Sequence, residues 1–359
     1  MASLTYQTLK QKQPKRFAKQ LPEGAYPVLI DWGEGNQPAT IQFSDGQASV
    51  GSCIRCINPA CMEYSESELE LKVFKDFPAD KNNSVCPTSA IIWPLEADAP
   101  KVDSNFCILC GLCVGRCPVK AIHIDEQGAH INDLPNSHFK LQHVLTNSQI
   151  IESTIKLFEG VSEQGIFLTE SDELLGEFQK RFEGVIKSQS AQFPNHLARN
   201  LLIATNIGAA MRRRGDTNIR MDLLLGPPGV EQGTGEVELG EVLDAPRNIL
   251  DNIAVLVTRY EISKDNIVPI IVSFALPNLR SEYWQVIKDI KDVLEVKIGS
   301  ITIGGLIVVV WSRASITIET GEELYIDADS SSLRPKLKSI LGRELKIKTG
   351  YPGLLESEK

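Results

Sequence analysis

Beyond about residue 150, hydrophobic positions recur at helical spacing in some segments and form short apolar runs in others. Leu175, Phe178, Phe182 and Ile186 are three or four residues apart, which predicts a helix over 172–188. The same spacing predicts helices at 195–213, 245–260, 280–295 and 332–341. Apolar runs predict strands at 219–225, 236–239, 267–276 and 301–311, with a hairpin at 315–326. This alternation indicates an α/β domain in which helices flank a mixed central sheet.

The starts of two predicted helices carry residues with short polar side chains. Asn195 and Asp244 are predicted N-caps, because such side chains accept hydrogen bonds from the first free N–H groups of a helix. The run Arg212–Arg214 would end the helix over 195–213. This run has two interpretations: it contacts phosphate, or its charges simply favour the negative end of the helix dipole.

All eight cysteines lie in the first third of the chain. The second four have the spacing C-x2-C-x2-C-x3-C-P, and Gly111 and Gly115 within it let the backbone wrap closely around sulfur atoms. The first four are a looser copy with longer gaps. The two groups are Cys53, Cys56, Cys61 and Cys86, and then Cys107, Cys110, Cys113 and Cys117. Such clustering predicts one functional unit.

Two Cys-Pro pairs continue in the same way, as Cys86-Pro-Thr-Ser-Ala-Ile91 and Cys117-Pro-Val-Lys-Ala-Ile122. This internal repeat resembles the bacterial two-cluster ferredoxins over residues 50–125. The resemblance implies two [4Fe–4S] clusters. Their implied ligands are Cys53, Cys56, Cys61 and Cys117 for one, and Cys86, Cys107, Cys110 and Cys113 for the other. The longer gaps in the first group depart from the family pattern and bear on the nuclearity of the first cluster.

Zinc sites and disulfides are the alternative uses of these cysteines. The interleaved run is not a zinc-ribbon spacing, and disulfides are not expected in a cytoplasmic chain. A cytoplasmic location is predicted because the basic N-terminus lacks a signal-peptide core and no apolar run is long enough to cross a bilayer. The clusters would be structural or redox-sensing rather than electron-transferring, since no flavin or nicotinamide site is evident.

Three acidic residues lie beside apolar strand segments in the second half of the chain. Asp222 lies at the end of the first predicted strand, and Glu236 and Glu238 point to the same face of the next one. If these strands are neighbours, three carboxylates converge and require a hard cation, Mg²⁺ or Mn²⁺. That metal would polarise a phosphate and activate a water molecule. The alternative is an acidic pair on a solvent-exposed strand face.

The order helix, strand, strand, helix, strand resembles the core of the PD-(D/E)xK nucleases, which include many restriction enzymes. The resemblance implies that Asp222, Glu236 and Glu238 bind metal and catalyse DNA cleavage. Glu238 occupies the position that commonly holds Lys, although some restriction enzymes of this superfamily carry Glu there. Positive charge near the nucleophile would then come from Arg247 or from Arg212–Arg214.

These features predict an α+β protein with a ferredoxin-like domain at 1–130, a linker at 131–150 and an endonuclease-like domain at 151–359. A net charge of −9 indicates that partner subunits help to hold DNA. The favoured function is DNA cleavage in restriction, antiviral defence or repair, with no membrane partner. One alternative is an electron-transfer subunit whose second domain is a silent docking scaffold. Another is an inactive nuclease fold that serves assembly.

Overall fold

The computed structural model describes residues 41–43, 59–69, 71, 77, 79–93, 100–117, 121–131, 139–141, 170–215, 220–226, 232–240, 242–318 and 321–358. The chain divides into two compact units. The first contains residues 1–64 and 84–168, and the second contains 65–83 and 169–359. Residues 65–83, which the predicted boundaries assign to the N-terminal domain, therefore belong to the second unit. The predicted linker lies outside the described residues except at 131 and 139–141.

The described elements are short in the first unit and longer in the second. The strands are β1 (Ile41–Phe43), β2 (Ile91–Ile92), β3 (Lys101–Val102), β4 (Ile122–Asp125), β5 (Gly128–Ile131), β6 (Phe139–Leu141), β7 (Gly208–Met211), β8 (Leu223–Gly226), β9 (Gln232–Glu238), β10 (Ile267–Ser273) and β11 (Gly299–Thr302). The helices are α1 (Glu66–Leu69), α2 (Leu112–Arg116), α3 (Asp172–Val185), α4 (Phe193–Ala204), α5 (Ala245–Tyr260), α6 (Glu282–Leu294), α7 (Ile303–Trp311) and α8 (Arg334–Leu341). Single 3₁₀ turns are formed by Ile186–Ser188, Lys264–Asn266 and Ala328–Ser330.

The first unit contains three two-stranded antiparallel pairs, β1 with β6, β2 with β3 and β4 with β5. The pairs β2–β3 and β4–β5 begin at equivalent positions, Ile91 and Ile122, in the two copies of the internal repeat. Both residues are buried. In each copy of the repeat, the isoleucine five residues after the cysteine therefore begins a strand of an antiparallel pair.

The second unit is built on a five-stranded mixed sheet in the order β7-β8-β9-β10-β11. The strands β7, β8 and β9 form an antiparallel meander, whereas β9, β10 and β11 run parallel. Helices α5 and α6 connect the parallel strands, as parallel pairing requires. Helix α4 lies against β7, and α5 lies against β9 and β10. The predicted mixed sheet with flanking helices is confirmed.

One predicted helix is a helix followed by a strand. The helix over 195–213 ends at Ala204, because Asn206 adopts a left-handed φ of 74° that stops it. The chain then enters β7, which adds a strand to the predicted order. Asn195 is not the N-cap but lies in the first turn, since α4 begins two residues earlier at Phe193. The Arg212–Arg214 run follows β7, so its interpretation as a helix C-terminus is wrong.

The apolar run 301–311 was predicted as a strand, but most of it forms helix α7. Thr302 ends β11 and caps the helix, because its hydroxyl accepts a hydrogen bond from the N–H of Gly305 at 2.9 Å. All nine residues of α7 are buried. A helix that is buried on every side shows no amphipathic spacing, which is why the pattern favoured a strand.

Strand β9 is longer than predicted, because its glycines do not belong to a turn. A Cβ atom added to Gly233 would lie 2.6 Å from the carbonyl oxygen of Val268 on the neighbouring strand. Glycine therefore allows close approach of two strands here. In the tail, the predicted helix is confirmed as α8. The described residues within 315–326 form no hairpin strands, only an isolated bridge between Tyr325 and Gly299.

Residues 65–83 cover the β7 end of the sheet. Ala79 forms a β-bridge with Arg212, and the N–H of Asp80 donates to the carbonyl oxygen of Met211 at 2.9 Å. The buried Arg199 of α4 donates to the carbonyl oxygen of Asn82 at 2.8 Å. The described residues within 65–83 are therefore bonded to the elements of the second unit.

Candidate cluster and carboxylate sites

All four predicted ligands of one cluster lie within the described part of the first unit. They are Cys86, Cys107, Cys110 and Cys113. The loop that carries the last three turns tightly, with Leu109 at φ 61° and Gly111 at φ 80°. Gly111 then precedes α2, on whose first turn Cys113 lies. The N–H of Cys107 donates to the carbonyl oxygen of Asp103 at 3.1 Å, which fixes the start of this loop.

The thiols of this set lie near one another, with Cys107 buried and Cys86, Cys110 and Cys113 partly buried. Burial, followed by the neighbouring Cys86 and Cys107, raises the pKa of Cys110. Burial also raises the pKa of Cys113, with smaller contributions from the surrounding cysteines including Cys61. Buried thiols in such proximity ionise only when a cation compensates their charge, as iron does in a cluster. The donor set therefore fits a [4Fe–4S] cluster.

The two halves of the repeat make the same contact to sulfur. The N–H of Ala90 donates to Cys86 Sγ at 3.1 Å, and the N–H of Ala121 donates to Cys117 Sγ at 3.2 Å. Each alanine is four residues after its cysteine and is buried. Amide hydrogen bonds of this kind help to set the reduction potential of a cluster. Sequence identity within the Cys-Pro-x-x-Ala-Ile repeat thus corresponds to identical hydrogen bonding.

The other predicted cluster is only partly described. Cys61 and Cys117 are buried, whereas Cys53 and Cys56 lie outside the described residues. The side chain of Arg116 donates to the carbonyl oxygen of Ala60 at 2.7 Å, and its guanidinium lies 4.1 Å from the ring centre of Tyr64. These contacts fix the turn that carries Cys61 next to the helix that precedes Cys117.

In the second unit, the structure brings Asp222 and Glu236 together. Asp222 does not end a strand, as predicted, but immediately precedes β8. Its neighbour Leu223 pairs with Gly235, so the antiparallel register places Asp222 opposite Glu236. The N–H of Val237 donates to Asp222 Oδ2 at 3.1 Å, which holds this carboxylate against β9.

Three asparagine amides hold the two carboxylates. Asn195 of α4 donates to Asp222 Oδ1 at 2.9 Å. Asn248 and Asn252 of α5 donate to the two oxygens of Glu236 at 3.0 and 3.1 Å. Each of the four carboxylate oxygens accepts one hydrogen bond and keeps a lone pair for a further partner. The donor set therefore fits a hard cation such as Mg²⁺.

Burial raises the pKa of both acids of this pair. Burial, followed by the charge of Asp222, raises the pKa of Glu236 to about 7, although the two asparagine amides oppose the shift. Burial raises the pKa of Asp222 against the hydrogen bonds from Val237 and Asn195 and the charge of Arg212. A bound cation would reverse both shifts by favouring the ionised forms.

Glu238 lies at the end of β9 and is half-buried. Its pKa is raised by burial and then by Asp222 and Asp244. Among the described residues, no three Asp, Glu, His or Cys side chains lie close enough together to hold one metal ion. The structure therefore assembles an Asp222–Glu236 pair with Glu238 beside it rather than a closed three-carboxylate site.

Four arginines, Arg212, Arg213, Arg214 and Arg220, lie between β7 and β8 in sequence. Arg213, Arg214 and Arg220 are exposed, and Arg212 is close enough to Asp222 to lower its pKa. Arg247, the other predicted source of positive charge, forms an exposed ion pair with Asp244 at 3.1 Å. Positive charge thus reaches the acid pair from the β7–β8 connection.

The pattern of residues along the chain did not predict that the asparagines of α5 bind Glu236. Asn252 is 3% exposed and lies in the same helix face as the buried Ile249 and Leu256. A polar residue within an otherwise apolar stripe is the signal that indicates a buried polar partner. Asn195 was singled out, but as a cap rather than as a partner of Asp222.

Within the described residues, no helix is long and apolar enough to cross a membrane. No curated protein and no solved structure matches the chain. Residues 100–123, which contain Cys107, Cys110, Cys113 and Cys117, match the family of 4Fe-4S binding domains, Fer4. The chain is therefore an iron–sulfur protein that carries a 4Fe-4S binding domain.

Proposed function

We propose that the second unit is a metal-dependent endonuclease that hydrolyses phosphodiester bonds in DNA. The observation that carries this proposal is the Asp222–Glu236 pair, two carboxylates held opposite each other by four N–H donors. Holding two like charges together in a partly buried site costs free energy unless a cation binds between them. The order of strands and helices around the pair supports a nuclease-like fold of the PD-(D/E)xK type.

Asp222 and Glu236 would hold Mg²⁺ or Mn²⁺ through their remaining lone pairs. When bound, the metal supplies Lewis acidity toward a phosphate oxygen and lowers the pKa of a water molecule. Glu238 would accept a proton from the attacking water, a role that its raised pKa favours. The water oxygen would bond to phosphorus while the bond to the leaving sugar oxygen breaks. That oxygen would take up a proton from a solvent water molecule, giving a phosphate monoester and a hydroxyl. Glu238 would turn toward the pair to act in this way.

The β7–β8 connection would contact the DNA backbone. Arg213, Arg214 and Arg220 are exposed in the same connection as Arg212, whose charge acts on Asp222, and phosphate binding draws on such side chains. The chain as a whole carries a net charge of −9, so partner subunits would supply further contacts to DNA. The resemblance to restriction enzymes implies that the protein would act in restriction, antiviral defence or repair in the cytoplasm.

The first unit would carry two [4Fe–4S] clusters with structural or redox-sensing roles. The repeated hydrogen bond from Ala90 to Cys86 and from Ala121 to Cys117 supports two equivalent half-sites. Electron transfer is the alternative function, and the 42% exposure of Phe106, next to Cys107, supports a cluster close to the surface. In that case the second unit would serve as a docking scaffold.

The test uses anaerobically purified protein with both units, Mg²⁺ or Mn²⁺, and supercoiled and linear DNA. The wild type should cleave DNA, and Asp222→Asn and Glu236→Gln should each reduce the rate at least a hundredfold. Lys264→Ala, an exposed change outside the site, is the matched control. Cleavage that persists in both carboxylate variants would exclude this site. Absence of cleavage together with reversible reduction by a ferredoxin partner would favour electron transfer.

A further inference from the structure

A cavity of about 610 Å³ lies at the carboxyl ends of the parallel strands β9 and β10. The last residues of these strands, Glu238 and Ser273, pair with each other, and the N–H of Phe274 donates to the carbonyl oxygen of Glu238 at 2.9 Å. The cavity begins directly beyond this point, at Gly240. Ligands of α/β proteins bind in crevices at the carboxyl ends of parallel strands. The cavity is therefore next to the proposed catalytic residue Glu238.

The wall formed by residues 275–282 is fixed by hydrogen bonds outside the cavity. The N–H groups of Leu276 and Leu279 donate to the carbonyl oxygens of Gly353 and Glu358 in the tail, at 2.6 and 2.8 Å. The indole N–H of the buried Trp284 donates to the carbonyl oxygen of Asn278 at 2.9 Å. A wall held at three points is formed before a ligand binds, which lowers the entropic cost of binding.

The lining combines an apolar floor with a polar rim. Val242 and Leu276 are buried, whereas Asn278, Arg280 and Glu282 are exposed on the rim. An apolar floor suits the flat face of a nucleobase, and the rim offers donors and acceptors to its edge. Arg280 also carries the positive charge that a phosphate requires.

We infer that this cavity binds one nucleotide of the DNA strand next to the cleaved bond. The base lies on the floor formed by Val242 and Leu276, and the phosphate contacts Arg280. The inference rests on the proposed nuclease function and adds to it the residues that position the strand.

The test measures binding rather than cleavage, by fluorescence anisotropy of labelled single-stranded and duplex oligonucleotides without divalent metal. The cluster-loaded full-length protein is used throughout. Arg280→Ala should weaken binding several-fold and reduce the salt dependence of log K by about one phosphate contact. Lys288→Ala removes an exposed charge from helix α6, which follows Arg280 and carries Lys288 outside the cavity, and is the matched control. It should leave binding nearly unchanged.

A second variant tests the cavity without changing charge. A Cβ atom at Gly240 would have no other atom within 4 Å, so Gly240→Leu can fold and extend into the cavity mouth. It should weaken binding of an intact oligonucleotide more than binding of one with an abasic site. Equal losses for the two oligonucleotides, or equal losses for Arg280→Ala and Lys288→Ala, would overturn the inference.

Failure of the inference and failure of the nuclease proposal are distinguishable. Cleavage by the wild type with unchanged binding by Arg280→Ala would retain the nuclease and eliminate the cavity as a nucleotide site. Binding that depends on Arg280 without any cleavage would retain the nucleotide site and eliminate the nuclease. If no oligonucleotide binds to the wild type, the cavity is eliminated as a nucleotide site, and the cleavage test alone decides the nuclease proposal.

Discussion

Asp222 faces Glu236 across the antiparallel pair β8–β9, and the two carboxylates accept their hydrogen bonds from different elements. Asp222 accepts hydrogen bonds from α4 and from the backbone of β9, whereas Glu236 accepts both of its hydrogen bonds from α5. Two helices and two strands thus fix a pair whose like charges repel. The stability of the pair should therefore depend on its asparagine donors, on pH and on a bound cation.

Asn252→Ala should destabilise the protein more at pH 8 than at pH 5.5. Removing its amide leaves one oxygen of the buried Glu236 carboxylate without a donor, which costs about 1–3 kcal/mol when that group is ionised. At pH 5.5 Glu236 is largely protonated, because its pKa is about 7, and the penalty is smaller. Urea unfolding at both pH values measures the difference.

The control for this experiment is the same substitution in a Glu236→Ala background. There the loss of free energy of unfolding caused by Asn252→Ala should no longer depend on pH, because the titrating group is gone. A pH dependence that persists in the double variant would contradict the assignment of the effect to Glu236.

Mg²⁺ should raise the melting temperature more at pH 8 than at pH 5.5. Without metal, the folded state binds more protons than the unfolded state, because the pKa of Glu236 and that of Asp222 are raised on folding. The free energy of unfolding therefore falls as the pH rises from about 4.5 to about 7. A cation that binds the ionised pair offsets this loss. Differential scanning calorimetry measures the shift.

The matched variant for the metal experiment is Asp222→Ala/Glu236→Ala. It should lose both the pH-dependent destabilisation and the response to Mg²⁺. An increase in melting temperature of the same size in this variant would mean that Mg²⁺ acts elsewhere on the chain.

Iron analysis should distinguish one cluster from two. Two [4Fe–4S] clusters correspond to about eight iron atoms per chain, and Cys110→Ala should reduce this to about four. Cys53→Ala should remove the other four, since the two residues are assigned to different clusters. A wild type with only about four iron atoms, all lost in Cys110→Ala, would show that the first group of cysteines holds no cluster.

Thr88→Val should lower the reduction potential of the cluster bound by Cys86. The Thr88 hydroxyl lies 3.5 Å from Cys86 Sγ, and a donor to a ligand sulfur stabilises the reduced, more negative cluster. Ser84→Ala is the control, because that hydroxyl donates to the carbonyl oxygen of Cys86 rather than to sulfur. Redox titrations followed by electron paramagnetic resonance measure both. Equal potentials in Thr88→Val and the wild type would exclude this hydrogen bond.

The spacing of apolar residues correctly predicted the helices that have one apolar face and one polar face. The helix over 245–260 was predicted correctly, because one apolar face and Pro246 at its start mark it clearly. The run Ile301–Trp311 was not, because a helix buried all round has no polar face. The partners of Glu236 depend on tertiary packing of α5 against β9, which spacing along the chain does not contain. The carboxylate pair itself was predictable, since Asp222 immediately precedes β8 and Glu236 lies on the next strand.

The position of residues 65–83 links the binding of iron in the first unit to the ordering of a segment of the second unit. This segment connects Cys61 to Cys86, so the chain passes between the two units at residues 64–65, 83–84 and 168–169. Cluster formation would restrain both ends of the segment. The segment would then lose less conformational entropy when Ala79 and Asp80 pair with the β7 end of the sheet. Asn82 meets helix α4, whose Asn195 holds Asp222. Loss of iron would thus weaken the packing of this segment on β7 and α4, and with it the support of Asp222, without any electron being transferred.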